Sequence, residues 1–229
     1  MTWSPQARVA LFYAPEADDP LFAASATWLG RDPESGAPAP HPDIAEIAAV
    51  TEAPRLYGFH ATLKPPMRLR VGVTWERVLD EAAGLAASVA PFDLPFLRVA
   101  DLSGFLALRE TEPSMPLQAL CDLCVAQLEP LRAPPEGSEL ERRRTGGLSA
   151  AQEALLRRWG YPYVFGAWAF HMTLTRRLDA GERELYMPAA EHHFARALLE
   201  PRRVATICLF TQPAPGEPFL IAERLKLWG

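Results

Sequence analysis

The sequence predicts an α+β domain built from one unit that occurs twice. Short apolar runs typical of strands alternate with segments of helical periodicity along the chain. The order strand, helix, strand, hairpin strand occurs over approximately residues 55–128 and again over residues 163–229. The hairpin strand begins 45 residues after His60 in the first unit and 48 residues after His171 in the second. Because order and spacing both match, we expect two equivalent halves of a single domain.

One strand and two helices are predicted ahead of the first unit's motif strand. The apolar and aromatic run at 9–13 predicts a buried strand. Asp19 is the expected N-cap of the next helix, with Pro20 at its first position and Gly30 at its C-terminal end. A short helical segment is expected around 44–50.

The first unit is predicted to begin with a strand at 57–64. Pro65 and Pro66 should end this strand, because proline cannot donate to a strand ladder. Thr74 is a suitable N-cap for the helix that follows. Later elements are strands at 96–100 and 105–110 and a helix over 117–128.

The second unit is preceded by a polar, Pro- and Gly-rich segment at 130–148, which we interpret as an inter-lobe linker or a mobile flap. Ser149 and Gln152 then form a capping-box signature for a helix. The remaining elements are a strand at 170–174, a helix near 188–199, and strands at 204–211 and 219–224.

Composition restricts the class of protein. A content of 49% hydrophobic residues in 229 is ample for a packed core. The net charge of −5 argues against binding of long nucleic acid, which usually needs a basic surface. Three cysteines do not form a disulfide framework, and no secretory signal pattern precedes Arg8, so we expect a cytoplasmic protein. The apolar runs fall short of the roughly 20 residues that span a bilayer, so no membrane segment is predicted.

A His-x-Thr motif occurs at the same point of both units, at residues 60–62 and 171–173. Side chains alternate between the two faces of a strand, so His and Thr share a polar face while the residue between them is buried. The shared faces are predicted to hold His60, Thr62 and Lys64 in the first unit, and His171, Thr173 and Thr175 in the second. If the units pack about a pseudo-twofold axis, both faces line one cleft.

Two histidines across a cleft suit acid–base chemistry on a phosphodiester. One neutral imidazole can accept a proton while the other, protonated, donates to the leaving oxygen. Thr62 and Thr173 can donate hydrogen bonds to the non-bridging oxygens. Lys64, Arg176 and Arg177 lie at the ends of the two strands and are candidate cationic contacts. Tyr13, on the first strand, reaches the cleft or completes the core, and both alternatives stay open.

The motifs resemble the 2H phosphoesterase superfamily, which includes RNA 2′,3′-cyclic phosphodiesterases. Three segments are similar to its DUF1045 branch, whose members are associated with phosphonate (C–P lyase) metabolism. They are Tyr57-Gly58-Phe59-His60-Ala61-Thr62-Leu63-Lys64-Pro65-Pro66, the run from Arg142-Arg143-Arg144 to Gly147-Leu148, and Trp159-Gly160-Tyr161-Pro162-Tyr163-Val164 ahead of the second motif. A basic residue is expected in this branch shortly before the second histidine, and 166–169 supply none.

The resemblance implies a bilobal α+β fold with two pseudo-twofold-related antiparallel sheets and flanking helices around a central cleft. It also implies His60 and His171 as the catalytic pair, and Thr62 and Thr173 as phosphate ligands. Apart from the resemblance, Arg143 belongs to the run 142–144, for which an ordinary charged loop and a lid over the phosphate cleft are both open alternatives.

Other motifs are assigned no chemistry. Cys121 and Cys124 share the apolar face of a predicted helix, and no second ligand pair follows at zinc spacing, so we expect core packing. His192 and His193 are adjacent on a predicted helix and are expected on its solvated face. No glycine-rich nucleotide loop and no His and carboxylate cluster occurs, so neither an organic cofactor nor a metal is predicted.

The sequence therefore predicts a metal-independent cyclic phosphodiesterase acting on a small ribose-containing phosphate ester. One alternative is an RNA-end 2′,3′-cyclic phosphodiesterase, which the acidic charge balance disfavours. The other is a non-catalytic phosphate-ligand-binding protein, against which the two intact histidines argue. The sequence does not assign base and acid between the histidines.

Overall fold

The computed structural model describes Ser4 and residues 6–229. This part of the chain forms nine strands and seven α-helices, with short 3-10 turns between some of them. The strands are β1 Arg8–Tyr13, β2 Ala61–Arg68, β3 Phe92–Leu94, β4 Leu97–Asp101, β5 Phe105–Glu110, β6 Met172–Arg177, β7 Arg202–Val204, β8 Thr206–Gln212 and β9 Leu220–Lys226. The helices are α1 Pro20–Leu29, α2 Ile47–Tyr57, α3 Trp75–Ala87, α4 Met115–Leu128, α5 Gly137–Arg144, α6 Ala150–Trp159 and α7 Ala180–Phe194.

Seven strands form one antiparallel sheet in the order β4-β5-β6-β2-β1-β8-β9, and β3 pairs with β7 separately. The large sheet consists of two halves, β4-β5-β6 and β2-β1-β8-β9. A single residue pair, Ala61 with Met172, joins β2 to β6 and thereby the two halves. The predicted α+β class is confirmed, and the two antiparallel sheets are continuous at this one pair.

The two sequence units exchange strands between the halves. The motif strand β6 of the second unit pairs with the β4–β5 hairpin of the first. The motif strand β2 of the first unit lies in the half that contains the β8–β9 hairpin of the second. We retain the boundaries 55–128 and 163–229 as our proposal for the repeats.

Most helices pack on one face of the sheet. The main core joins that face to α1, α2, α3, α4 and α7 through residues such as Leu11, Leu63, Leu85, Leu120 and Phe194. The opposite face carries a smaller apolar cluster of Ala10, Phe12, Ala14, Cys208, Phe210 and Phe219. Since the helices cover one face, the other is left for a cleft.

The caps of several elements lie where the sequence places them. Asp19 caps α1 by accepting from the Leu21 N–H, and α1 ends at Gly30 in the left-handed conformation. Thr74 caps α3, and Ser149 with Gln152 forms the capping box of α6. Each of these signals is local, because the cap and the groups it satisfies are within a few residues of each other.

The expected boundaries of β2 are wrong. Tyr57 ends α2 instead of starting the strand, and β2 continues through Pro65 and Pro66. Between the pairs Leu11–Lys64 and Val9–Met67, β2 has one residue more than β1, so the prolines lie in a β-bulge. A bulge tolerates proline because the ladder is already interrupted there.

Two further expectations change. The helix expected near 188–199 is α7, which begins eight residues earlier at Ala180 behind a capping box of Asp179 and Glu182. Pro188 lies inside α7. The segment 130–148 contains α5, which is held by ion pairs and buries none of its residues. Whether this segment moves as a flap stays a prediction.

The cysteine and histidine pairs to which no chemistry was assigned lie outside the cavity. Cys121 and Cys124 are buried free thiols of α4, as expected, and burial raises the pKa of both. His192 is exposed, but His193 is half-buried between α7 and α1, with Nε2 2.8 Å from the Ala24 carbonyl oxygen. Every helix of the described chain is too short or too polar to span a bilayer.

Candidate active site

The two His-x-Thr motifs meet at the centre of the large sheet. Their middle residues, Ala61 and Met172, are the antiparallel pair that joins β2 to β6, and both are fully buried in the main core. In an antiparallel ladder this pairing puts His60 beside Thr173, and Thr62 beside His171. Residues flanking a core-facing residue point to the opposite face, so the four polar side chains share the cleft face.

The two imidazoles are held in the same way. The Nδ1 atom of His60 lies 2.8 Å from the Gly58 carbonyl oxygen, and Nδ1 of His171 lies 2.9 Å from the Ala169 carbonyl oxygen. A carbonyl only accepts, so Nδ1 carries the proton in both rings and Nε2 keeps a free lone pair. The hydroxyl of Thr62 is 3.3 Å from Nε2 of His60. Both histidines therefore present a basic Nε2.

Burial affects the charge of both histidines. Burial lowers the pKa of His60 from its usual 6.5 to about 4, with a smaller lowering from nearby His171. Burial also lowers the pKa of His171, where Arg109 lowers it further and Glu110 opposes the change. Both imidazoles are thus neutral at pH 7 without an anion beside them.

A cavity of about 280 Å³ adjoins the motifs. Its lining includes His60, Thr62 and Thr173, but not His171, which the strand pairing places beside Thr62. The other lining residues are Phe12, Ala53, Pro54, Tyr57, Gly58, Pro65, Pro66, Arg143, Tyr161, Thr175 and Arg176. Two arginines and no carboxylate line the described cavity, so it favours an anion.

The two arginines of the cavity differ in their partners. Arg176 forms a two-pronged ion pair with Glu182 of α7, at 2.7 and 2.9 Å. Arg143 of α5 lies with its guanidinium carbon 4.5 Å from the ring centroid of Tyr161. Among the described residues, no carboxylate forms an ion pair with Arg143. Its charge is therefore available to a ligand.

Lys64 does not reach the cleft, in contrast to the expectation from strand alternation. Its side chain is buried on the helix side of the sheet, where Nζ donates to the Val125 carbonyl at 3.0 Å and to Glu129 at 2.7 Å. Thr62 and Lys64 pair with adjacent residues of β1, so Leu63 is an extra residue that turns Lys64 to the core face. A bulge of this kind depends on the partner strand and leaves no mark in the sequence.

Tyr13 completes the core and does not line the cavity. It is 3% exposed and packs 6.4 Å from the ring of Phe170. It pairs with Ala61 and so shares the helix-covered face of the sheet. Of the two alternatives that the sequence left open, the structure supports core packing.

Several contacts around the site lack a sequence signal. Phe12 stacks on the His60 ring at 3.8 Å, although in the sequence it is one residue of an apolar run. Trp168, in the segment where a basic residue is expected, donates from Nε1 to the Thr62 carbonyl at 2.8 Å. This bond ties the approach to the second motif to the strand of the first.

Metal chemistry has no ligand set in the part of the chain that is described. No group of three or more His, Cys, Asp or Glu side chains is placed to hold a metal ion. The donors that line the cavity are imidazole, hydroxyl and guanidinium groups, and guanidinium cannot coordinate a cation.

The family model described as "Protein of unknown function (DUF1045)" matches residues 62–220, which is more than half of the chain. The chain belongs to this family.

Two curated relatives carry the name ribose 1,5-bisphosphate phosphokinase PhnN. The protein from Janthinobacterium sp. (strain Marseille) is 38% identical over 231 residues, covering 97% of this chain and 51% of the relative. The protein from Laribacter hongkongensis (strain HLHK9) is 36% identical over 223 residues, covering 96% of this chain and 52% of the relative. The chain spans about half the length of these relatives.

Solved structures similar to this chain include a phosphoesterase, with a TM-score of 0.44 and 14% identity over 99% of this chain and 100% of the other. Escherichia coli LigT complexed with NADP+ has the same score, identity and coverage. LigT complexed with 3′-AMP has a TM-score of 0.44 and 13% identity over 98% of this chain and 99% of the other. A likeness of this size does not establish an activity.

Proposed function

We propose that this protein is a metal-independent phosphoesterase that opens a cyclic phosphodiester on a small ribose-containing molecule. The observation that supports this most directly is the pairing of Ala61 with Met172, which brings His60, Thr62, Thr173 and His171 to one face. Two imidazoles and two hydroxyls on one face of the sheet are the groups that phosphodiester hydrolysis needs.

The charge of the cavity supports a small anionic substrate. Arg143 and Arg176 line it without a carboxylate among the described lining residues, in a chain of net charge −5. A local positive site on an acidic protein attracts a compact anion and offers little to a long polyanion. The volume of about 280 Å³ suits a sugar phosphate.

The reaction requires the histidines in opposite protonation states. One neutral imidazole takes a proton from water as the water oxygen bonds to phosphorus. The bond from phosphorus to one ribose oxygen breaks, and the other imidazole gives that oxygen a proton. The product is a phosphate monoester with a free hydroxyl, and exchange of protons with solvent restores the starting states.

Thr62 and Thr173 stabilise the charge that builds up on the non-bridging oxygens. The strand pairing sets Thr173 beside His60 and Thr62 beside His171, and the Thr62 hydroxyl also lies 3.3 Å from Nε2 of His60, so we assign both hydroxyls to one phosphate between the rings. The bound phosphate also raises the pKa of the histidines, because its negative charge favours the imidazolium. Substrate binding thereby lets one histidine take up from solvent the proton that the free site lacks at pH 7.

The names of the relatives support a ribose phosphate as substrate. They are named for action on ribose 1,5-bisphosphate, and this chain matches about half of each. The chain has no glycine-rich phosphate-binding loop of the kind that many kinases use, so we assign it a reaction other than phosphoryl transfer from a nucleotide. We propose a step of phosphonate metabolism as its context.

A substrate panel followed by phosphorus NMR tests the proposed function. The panel contains cyclic phosphates of ribose and ribose phosphates, 2′,3′-cyclic nucleotides, and RNA oligomers with a cyclic end. We expect turnover of the small ribose compounds, and we expect a chelator to leave the rate unchanged. Preference for RNA ends would favour the RNA enzyme, binding without turnover would favour a ligand-binding protein, and loss of activity with EDTA would refute the metal-free assignment.

A further inference from the structure

The surroundings of the two candidate catalytic histidines differ. The ring of His60 is stacked on Phe12, with 3.8 Å between centroids and 21° between planes. The rings of Tyr57 and Phe210 each lie 6.1 Å from the same imidazole. His60 is half-buried, and three aromatic rings take the place of water around part of it, so its charged form is poorly solvated.

Phe12 is held firmly under His60. It is fully buried in β1 and pairs with Thr62 of β2, which places it on the cleft face. Its ring packs 4.9 Å from Phe210 and 6.3 Å from Phe219, in the apolar cluster of that face. The stack is therefore part of the sheet and does not depend on a flexible loop.

His171 has a more polar environment. Its only ring neighbour among the described residues is Phe105, which meets it edge-on at 6.0 Å. Arg109 and Glu110 of the neighbouring strand β5 lie close enough to influence its charge, and they are ion-paired with each other at 3.3 Å. Of these two charges, Arg109 disfavours an imidazolium and Glu110 favours one, so His171, unlike His60, has a carboxylate that offsets part of the lowering of its pKa.

The other groups that face His60 do not favour its charged form. The titratable and charged side chains of its cavity are Tyr57, Arg143, Tyr161 and Arg176, with His171 nearby. The cations among them repel an imidazolium, and no carboxylate lines this part of the described structure. The Gly58 carbonyl oxygen, which accepts from Nδ1, favours the charged ring, but burial is the larger effect and, with nearby His171, keeps the pKa of His60 low.

We propose that Phe12 is the positioning residue that holds His60 as the neutral general base, and that His171 is the general acid. This assignment rests on the proposed function. His60 takes the proton from the attacking water through Nε2, while His171 protonates the departing ribose oxygen. Phe12 fixes the plane of the base and excludes water from one side of it.

The test follows the protonation of both histidines by NMR titration, with His→Gln variants to assign the two signals. The effect of Phe12→Leu on the pKa of His60 is then compared with the effect of Phe219→Leu. Phe219 belongs to the same buried cluster as Phe12, so it controls for loosening of the cluster. In the wild type we expect His60 to titrate well below 6.5 and below His171. Phe12→Leu should raise the pKa of His60 by about one unit, because water then reaches the ring. Phe219→Leu should leave it in place.

In Phe12→Leu, the acid limb of the pH profile of kcat/KM should move to higher pH together with the pKa of His60. A purely structural role of Phe12 would not produce this shift. The proposal is overturned if His171 titrates below His60 in the wild type, a result that does not depend on either leucine variant. It is also overturned if the two leucine variants shift His60 equally. Absence of turnover on every cyclic phosphate, with titrations as expected, would refute the proposed function and leave the role of Phe12 intact.

Discussion

At the scale of single residues, each motif histidine is fixed by the backbone that precedes it. His60 and His171 both donate from Nδ1 to the carbonyl two residues earlier, at Gly58 and Ala169. Among the described residues, no carboxylate bonds to either ring, in contrast to sites where a carboxylate holds the imidazole. Because the only carboxylate effect on the described rings is that of Glu110 on His171, which burial and Arg109 outweigh, we expect the bound phosphate to stabilise the imidazolium.

The hydroxyls of Thr62 and Thr173 should contribute to catalysis. Thr→Val at either position keeps the shape and removes the donor, so we expect kcat to fall by about 10²-fold. Steady-state kinetics of the purified variants measure this. Thr51→Val is the matched control, since Thr51 bonds the Ile47 carbonyl inside α2 and does not line the cavity. Wild-type kcat in both motif variants would contradict the role.

Lys64 should affect stability and not substrate binding. Lys64→Met removes one partner of the largely buried Glu129 while Arg132 remains, and breaking such a pair costs about 3 kcal/mol. Urea denaturation measures the loss of unfolding free energy, and kinetics should show an unchanged KM. A raised KM at unchanged stability would show that Lys64 contacts the substrate after all.

At the scale of elements, α5 brings a cation to a site otherwise built on the sheet. Ion pairs of Arg68 with Glu136 and Glu139 hold its start, and the pair Arg144–Glu153 ties its end to α6. Arg143, between these anchors, reaches the cavity over Tyr161. The charged helix α5 therefore supplies one of the two arginines that line the cavity.

Removing the charge of Arg143 should weaken substrate binding. We expect Arg143→Gln to raise KM by about 10-fold, as for one lost hydrogen bond to a charged group, with little change in kcat. Arg142→Gln is the control, because Arg142 is exposed on the same helix and does not line the cavity. Equal effects of the two substitutions would indicate a general electrostatic contribution in place of a specific contact.

Elements whose signals are local could be predicted from the sequence. The cap of α1 at Asp19 is a short-range interaction and lies at its predicted position. The end of β2 depends on its pairing with β1, where two bulges accommodate the prolines and turn Lys64 to the core. Alternation within one strand therefore placed His60 and Thr62 on the cleft face but failed two residues further on.

At the scale of the whole molecule, the exchange of motif strands between the two halves assembles the site. The sequence predicts the repeat, but which hairpin each motif strand joins is a long-range property. The exchange brings β2 and β6 together at one residue pair, and the four polar residues flank it. An aromatic environment such as that of Phe12 around His60 likewise forms only in the assembled sheet.

Stability should fall on the acid side because of buried His60. Burial lowers its pKa to about 4, against 6.5 in the unfolded chain, so the unfolded state binds more protons between these values. The contribution of His60 to the unfolding free energy should therefore be constant above pH 6.5. It should lower the unfolding free energy by about 2 to 3 kcal/mol as the pH falls towards 4. Urea denaturation gives the unfolding free energy at pH 7 and at pH 4.5. The difference between the two values should be smaller for His60→Gln than for the wild type, and an equal difference would contradict the effect of burial on His60.

The most direct test of the central claim is turnover of a ribose cyclic phosphate by the wild type and by the variants His60→Ala and His171→Ala. Phosphorus NMR follows conversion of the cyclic ester to the monoester. The two-histidine mechanism predicts turnover by the wild type and a loss of about 10²-fold or more in each variant, as expected on removal of a general acid or base. Wild-type rates in either folded variant would contradict it.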